Sequence, residues 1–132
     1  MAIENTSVVL ARRPAGAPVT DDFALVTEPL GAPGDGELLL KNHFISLDAG
    51  FRNWMDEDSG DEVLPAMPLG EPVMGLVLGE VIESRHPDFS TGTWLMARLA
   101  WQHYSITDAS DFLIRLPEPL EAEPAAYLGL LL

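Results

Sequence analysis

The run from Val73 to Glu83, VMGLVLGEVIE, constrains the fold more than any other stretch, because it is apolar at nearly every position until Glu80. Unbroken apolarity, in place of alternation, is the pattern of a strand covered on both faces, so protein must lie against each side of it. Gly75 and Gly79 punctuate this strand where backbone bends or another chain segment approaches closely. His86, Pro87 and Asp88 then turn the chain, Gly92 resets it, and Trp94 to Leu99 forms the partner strand. A Trp101, Gln102, His103, Tyr104 run follows directly.

The rest of the chain reads as short strands between Pro/Gly turns. Ser7 to Arg12 and Phe23 to Glu28 are expected strands, joined by a loop whose Pro14, Gly16 and Pro18 disfavour regular pairing. The turn cluster Pro29 to Gly36 hands over to a third strand, Glu37 to Ser46, whose charged ends suggest a crossing between sheet edge and core. Asp48 to Trp54 predicts a short helix with Asp48 at its N-cap and with Phe51 and Trp54 on one face. Trp101 to Ile106 leads through the turn Thr107 to Ser110 into a last short strand, Phe112 to Arg115. Pro117 and Pro119 make the following tail extended, and Glu121 to Leu132 begins an apolar helix. An end of LGLLL is costly in water unless something covers it, so the expectation is that the chain continues; the same apolar end leaves a homodimer open. The fold expected is mainly β: a partly open barrel of about seven short strands with one or two short helices.

Composition narrows the function. A length of 132 residues suits one domain with a sizeable core, and the absence of cysteine removes disulfides, thiolate zinc sites and a cysteine nucleophile, pointing to the cytoplasm. A formal charge of -14 repels phosphate backbones and anionic lipid, so neither nucleic acid nor a membrane is an expected partner. The acidic loop Asp56 to Glu62 invites a calcium reading, but the EF-hand positions for glycine and glutamate hold Asp61 and Met67, which leaves a solvated, disordered loop as the expectation. His43, His86 and His103 have no short mutual spacing, so no metal site is expected.

Three segments stand in order along the chain: Ser46 to Arg52 (SLDAGFR), Gly70 to Gly92 (GEPVMG through VIESRHPDF), and Ala100 to Tyr104 (AWQHY). Together they resemble the N-terminal, GroES-like domain of zinc-independent medium-chain dehydrogenases/reductases, in the branch of leukotriene B4 dehydrogenase, prostaglandin reductase and alkenal double-bond reductase. The resemblance implies residues 1–120 as a substrate-side, GroES-like partly open β-barrel and residues 121–132 as the start of a helix linking it to a Rossmann domain. It implies NADP as cofactor, held mainly by that second domain, no metal, and an enone or alkenal substrate whose carbon-carbon double bond is reduced. By position, Asp48, Ala49, Gly50, Phe51, Arg52, Trp101 and Tyr104 would border the substrate and cofactor cleft; the catalytic residues are not identified.

Departures from the pattern sharpen the expectation. Gly50 stands where the family carries tyrosine, Ala49 replaces proline, Met74 replaces arginine, and Gly70, Glu71 and Pro72 occupy the place of the zinc branch's ligand motif. No Gly-x-Gly-x-x-Gly turn occurs, so the chain alone is expected neither to hold a nicotinamide cofactor well nor to turn over substrate. The reading from another class is a free-standing GroES-like interaction module without catalysis.

Overall fold

The computed structural model describes residues 2–57, 59 and 65–130. Strands β1 (Ile3–Leu10) and β2 (Phe23–Leu30) form an antiparallel hairpin. Strands β3 (Leu38–Ser46), β4 (Met74–Ser84), β5 (Trp94–Ala100), β6 (Tyr104–Thr107) and β7 (Leu113–Arg115) form a second antiparallel sheet in the order β6-β3-β4-β5-β7. Two short helices, α1 (Ala49–Asn53) and α2 (Ala126–Leu130), complete the described elements with a single 3-10 turn at Thr20–Asp22. The sheets do not close on each other, so the fold is the mainly β, partly open barrel expected from the sequence. Among the described residues no helix is long and apolar enough to cross a membrane.

β4 sits in the middle of the larger sheet and is covered on both faces, as its unbroken apolarity requires. Val81 joins Leu38, Leu40 and Leu95 in one buried cluster, whereas Leu78 and Met96 pack with Leu116 and with Tyr127 and Leu128 of α2. β3 passes from core to rim: Leu38 to Leu40 are buried, and His43 to Ile45 are exposed.

Element ends differ from expectation for physical reasons. β1 starts at Ile3, ahead of Ser7, because its inward positions are the polar Asn5 and Ser7, which hide the strand from a hydrophobic alternation. β2 continues through Pro29 to Leu30, past Glu28; it is an outer strand, where a missing N–H costs no ladder bond. The helix expected from Glu121 begins at Ala126, after Pro124, and the preceding segment folds back so that the Glu121 N–H donates to Tyr127 Oη at 2.8 Å. The acidic loop 56–62 falls largely on residues 58 and 60–62, outside the described residues; within it, Ser59 Oγ donates to the Asp56 carbonyl at 2.7 Å.

The hairpin is fixed to the larger sheet through the free edge of β1. Val8 N–H donates to Trp101 C=O, Trp101 N–H to Val73 C=O, and Val73 N–H to Val8 C=O, each at 2.8 Å, so three distant segments close a ring of backbone hydrogen bonds. Beside it lies a polar network centred on half-buried Gln102, with Asn5, Ser7 and Ser105 buried around it. Gln102 Oε1 accepts from Asn5 Nδ2 at 3.1 Å and from Ser7 Oγ at 3.2 Å, while its Nε2 donates to Ser105 Oγ at 3.0 Å. Asn42 Nδ2 donates to the same Ser105 hydroxyl at 2.8 Å, and Asn5 Oδ1 accepts from Tyr104 N–H at 2.9 Å. Buried polar groups cost little when every partner is present and much when one is removed. Gln102→Ala is therefore expected to destabilise the protein by about 2 to 3 kcal/mol, measured as a lower denaturant midpoint, with Gln102→Glu also destabilising because its second oxygen cannot donate to Ser105.

Candidate active-site cleft

The strand-to-helix corner at Ser46 to Asn53 builds one wall of a depression. Asp48 has extended backbone, with φ -94° and ψ 132°, and its carbonyl accepts from Phe51 N–H at 3.1 Å, so it occupies the expected N-cap position. Its carboxylate makes no cap bond, because Oδ1 accepts from Ser46 Oγ at 2.9 Å instead. The other oxygen, Oδ2, is buried and finds no partner among the described residues. Phe51 and Trp54 do share a helix face, with ring centroids 5.7 Å apart, and pack towards buried Leu10, Met55, Met67 and Val73.

Arg52 fastens this corner to the loop after β1. Its Nη2 donates to the carbonyls of Gly16 at 2.9 Å and Pro14 at 3.0 Å, and its Nη1 meets Asp56 at 2.8 Å. The loop is held at its other end by Asp22, whose carboxylate accepts from Arg12 Nε at 2.7 Å and from Val19 N–H at 2.8 Å. The Arg12 guanidinium, then the Val19 amide, hold the Asp22 carboxyl below its ordinary value of 3.8.

The depression between these parts measures about 360 Å³ and is walled by Phe23, Leu47, Phe51, Met55 and Trp101, with Asp48 and Arg52 as its charged members. Trp101 is set in place by glycine: a Cβ on Gly75 would lie 2.7 Å from the indole Nε1. Nε1 itself is buried without a partner among the described residues, and the indole stacks on Phe23 with centroids 6.1 Å apart.

Of the residues singled out from the sequence, Asp48, Phe51, Arg52 and Trp101 thus line one hollow. Ala49 and Gly50 open α1 beside it, and a Cβ at Gly50 would meet nothing within 4 Å. Tyr104 lies apart, its backbone bound to Asn5. Phe23, Leu47 and Met55 were not singled out from the sequence; Leu47 and Met55 flank α1, whereas Phe23 comes from β2, and no local pattern announces that meeting.

A family profile described as the N-terminal domain of oxidoreductase matches residues 6–114. The chain belongs to that family. An NADPH-dependent curcumin reductase of Escherichia coli is 35% identical over 127 residues, covering 96% of this chain and 36% of the relative. A 2-alkenal reductase (NADP(+)-dependent) of Nicotiana tabacum is 28% identical over 132 residues, covering 98% and 38%. The crystal structure of CurA from Vibrio vulnificus superposes with a TM-score of 0.83 at 31% identity, over 94% of this chain and 35% of that one. This oxidoreductase N-terminal domain therefore spans little more than a third of the length of the relatives it matches.

Within the domain, no three of the described His, Asp and Glu residues gather as a metal-holding group. Because the folded-state pKa of Asp22 is depressed, its stabilisation is complete above the unfolded value near 3.8 and is lost as pH falls through the lower folded value. Asp22→Asn is thus expected to lower the thermal midpoint at neutral pH, and the gap to the parent protein is expected to narrow below about pH 4. Gly75→Ala is expected to push the indole of Trp101 out of its seat at a cost of about 1 to 3 kcal/mol, seen as a lower denaturant midpoint and altered tryptophan emission.

Proposed function

We propose that this domain is the substrate-side wall of an NADP(H)-dependent oxidoreductase, working in the cytoplasm, that reduces the carbon-carbon double bond of α,β-unsaturated aldehydes or ketones. The observation that carries the reading is the apolar hollow on which Asp48, Phe51, Arg52 and Trp101 meet, since these residues belong to the motifs that resemble the double-bond reductases. The names of two relatives, a curcumin reductase and a 2-alkenal reductase, support it.

The hollow suits a flat, uncharged ring, because aromatic and aliphatic side chains form most of its wall. It does not suit a pyrophosphate. The chain has no Gly-x-Gly-x-x-Gly turn, and the Asp48 carboxylate beside the hollow would repel a phosphate. Residues 1–120 accordingly form the wall, and residues 121–132 lead towards a dinucleotide-holding domain. Bound NADPH supplies the hydride for the β carbon of the substrate.

This chain's residues contribute shape and dryness. Phe51, Met55 and Trp101 exclude water and orient the conjugated group, which strengthens every electrostatic interaction formed inside the hollow. Reduction leaves negative charge on the substrate oxygen, which needs a hydrogen-bond donor. Arg52 is engaged with Asp56, Pro14 and Gly16, and the Trp101 N–H is buried over Gly75, so neither side chain presents a donor to the hollow. The donor is therefore assigned to the part of the enzyme that faces this wall.

A polypeptide joining this chain to a dinucleotide-binding domain is expected to oxidise NADPH when a 2-alkenal or enone is added, followed by NADPH absorbance, whereas the 132-residue chain alone is expected to show no turnover. Failure of every such longer form to bind NADPH would remove the enzyme reading.

A further inference from the structure

Three hollows on this domain share one side chain, Trp101. The candidate cleft stands at one end. A neighbouring hollow of about 390 Å³ shares Phe23 with it and adds Ala24 and Leu25 of β2. A third, of about 240 Å³, shares Val8 and Leu25 with the second and ends on Ile45 and His103. The shared side chains set these hollows side by side as a segmented trough around the stacked Phe23 and Trp101 rings. Its far half leaves large apolar side chains open to solvent: Leu25 is 75% exposed and Ile45 38%. Apolar surface held open beside a ligand cleft gains affinity for any apolar tail laid upon it.

We infer that this trough is a tail subsite: the domain takes elongated, neutral carbonyl compounds whose reacting end sits at Asp48 to Arg52 and whose apolar tail passes Trp101 to rest on Leu25 and Ile45. These two side chains then set the preferred tail length. The inference rests on the reading proposed above and names the substrate class for it. Charge favours a neutral tail. The guanidinium of Arg52 is engaged at the opposite end, His43 is drawn to Glu80 at 3.4 Å, and a formal charge of -14 disfavours an anion. The far half of the trough, between Val8 and Ile45, has no carboxylate in its lining to hold a cation.

The test is a two-dimensional amide NMR titration of the isotope-labelled chain with 2-pentanone and with 2-dodecanone, saturated ketones that cannot undergo conjugate addition by lysine or histidine. Both are expected to shift the amides of Phe51 and Arg52. Only 2-dodecanone is expected to shift Leu25, Ile45 and His103 as well, and to bind at least about tenfold more tightly. Leu25→Glu, on a side chain already in solvent, is expected to erase that advantage and leave 2-pentanone unchanged; Ile45→Asp should do the same from the opposite wall. If 2-dodecanone shifts only the cleft, or if neither variant reduces its advantage, the tail subsite is overturned and the reductase reading stands. If neither ketone shifts Phe51 and Arg52, both fall together.

Discussion

The ring of backbone hydrogen bonds among Val8, Val73 and Trp101 is the joint on which the rest of this domain depends. A hairpin by itself is marginal in water, and β1 and β2 pair only with each other as a regular ladder. The joint gives the free edge of β1 two partners, Trp101 to His103 along Thr6 and Val8 and Gly70 to Val73 along Val8 and Leu10. It also places the side chain of Trp101, which walls every hollow discussed above, directly over Gly75. The polar network around Gln102 specifies the same joint from within. Register there is fixed by hydrogen bonds that only one arrangement satisfies, so the hairpin cannot slide by a residue without stranding Asn5, Ser7 and Ser105.

The cleft follows from this arrangement. Phe23 opens β2 and reaches the indole, the loop before it is clamped by Arg52 at one end and by the Arg12 and Asp22 pair at the other, and α1 closes the far side. Charged groups near the cleft are thus spent on holding its walls. What remains for a ligand is apolar surface, since Asp48 Oδ2 and Trp101 Nε1, both without a partner among the described residues, are buried. A wall of this kind can select, orient and dry a substrate, and it leaves the donor chemistry to whatever faces it.

Much of this was legible in the amino-acid order. The apolar run at β4, the turns at His86 to Asp88 and at Gly92, and the Phe51 and Trp54 pair on α1 all formed as their local chemistry dictates. The motif order was sufficient to place the chain among oxidoreductase N-terminal domains, and residues 6–114 match that family. Asp48, Phe51, Arg52 and Trp101 were candidates from their motifs, and they do meet on one hollow. Less legible was the start of β1, because inward-facing Asn5 and Ser7 look like surface until Gln102, 97 positions from Asn5, is brought to them. The Asp48 carboxylate was likewise expected to cap α1; Ser46, two positions away, supplies a nearer donor.

Sequence alone determined what depends on neighbours within a few residues: strand periodicity, turns, the helix corner, the lack of cysteine and of a phosphate-cradling glycine turn, and the strongly acidic balance. Tertiary structure alone decided which of those pieces touch. Phe23 against Trp101, Gln102 between Asn5 and Ser105, and the trough from Asp48 to Ile45 each join segments whose separation along the chain carries no periodic signal. Backbone pairing across those separations had to form before the side chains could meet, so the site is a property of the fold and its ingredients a property of the sequence.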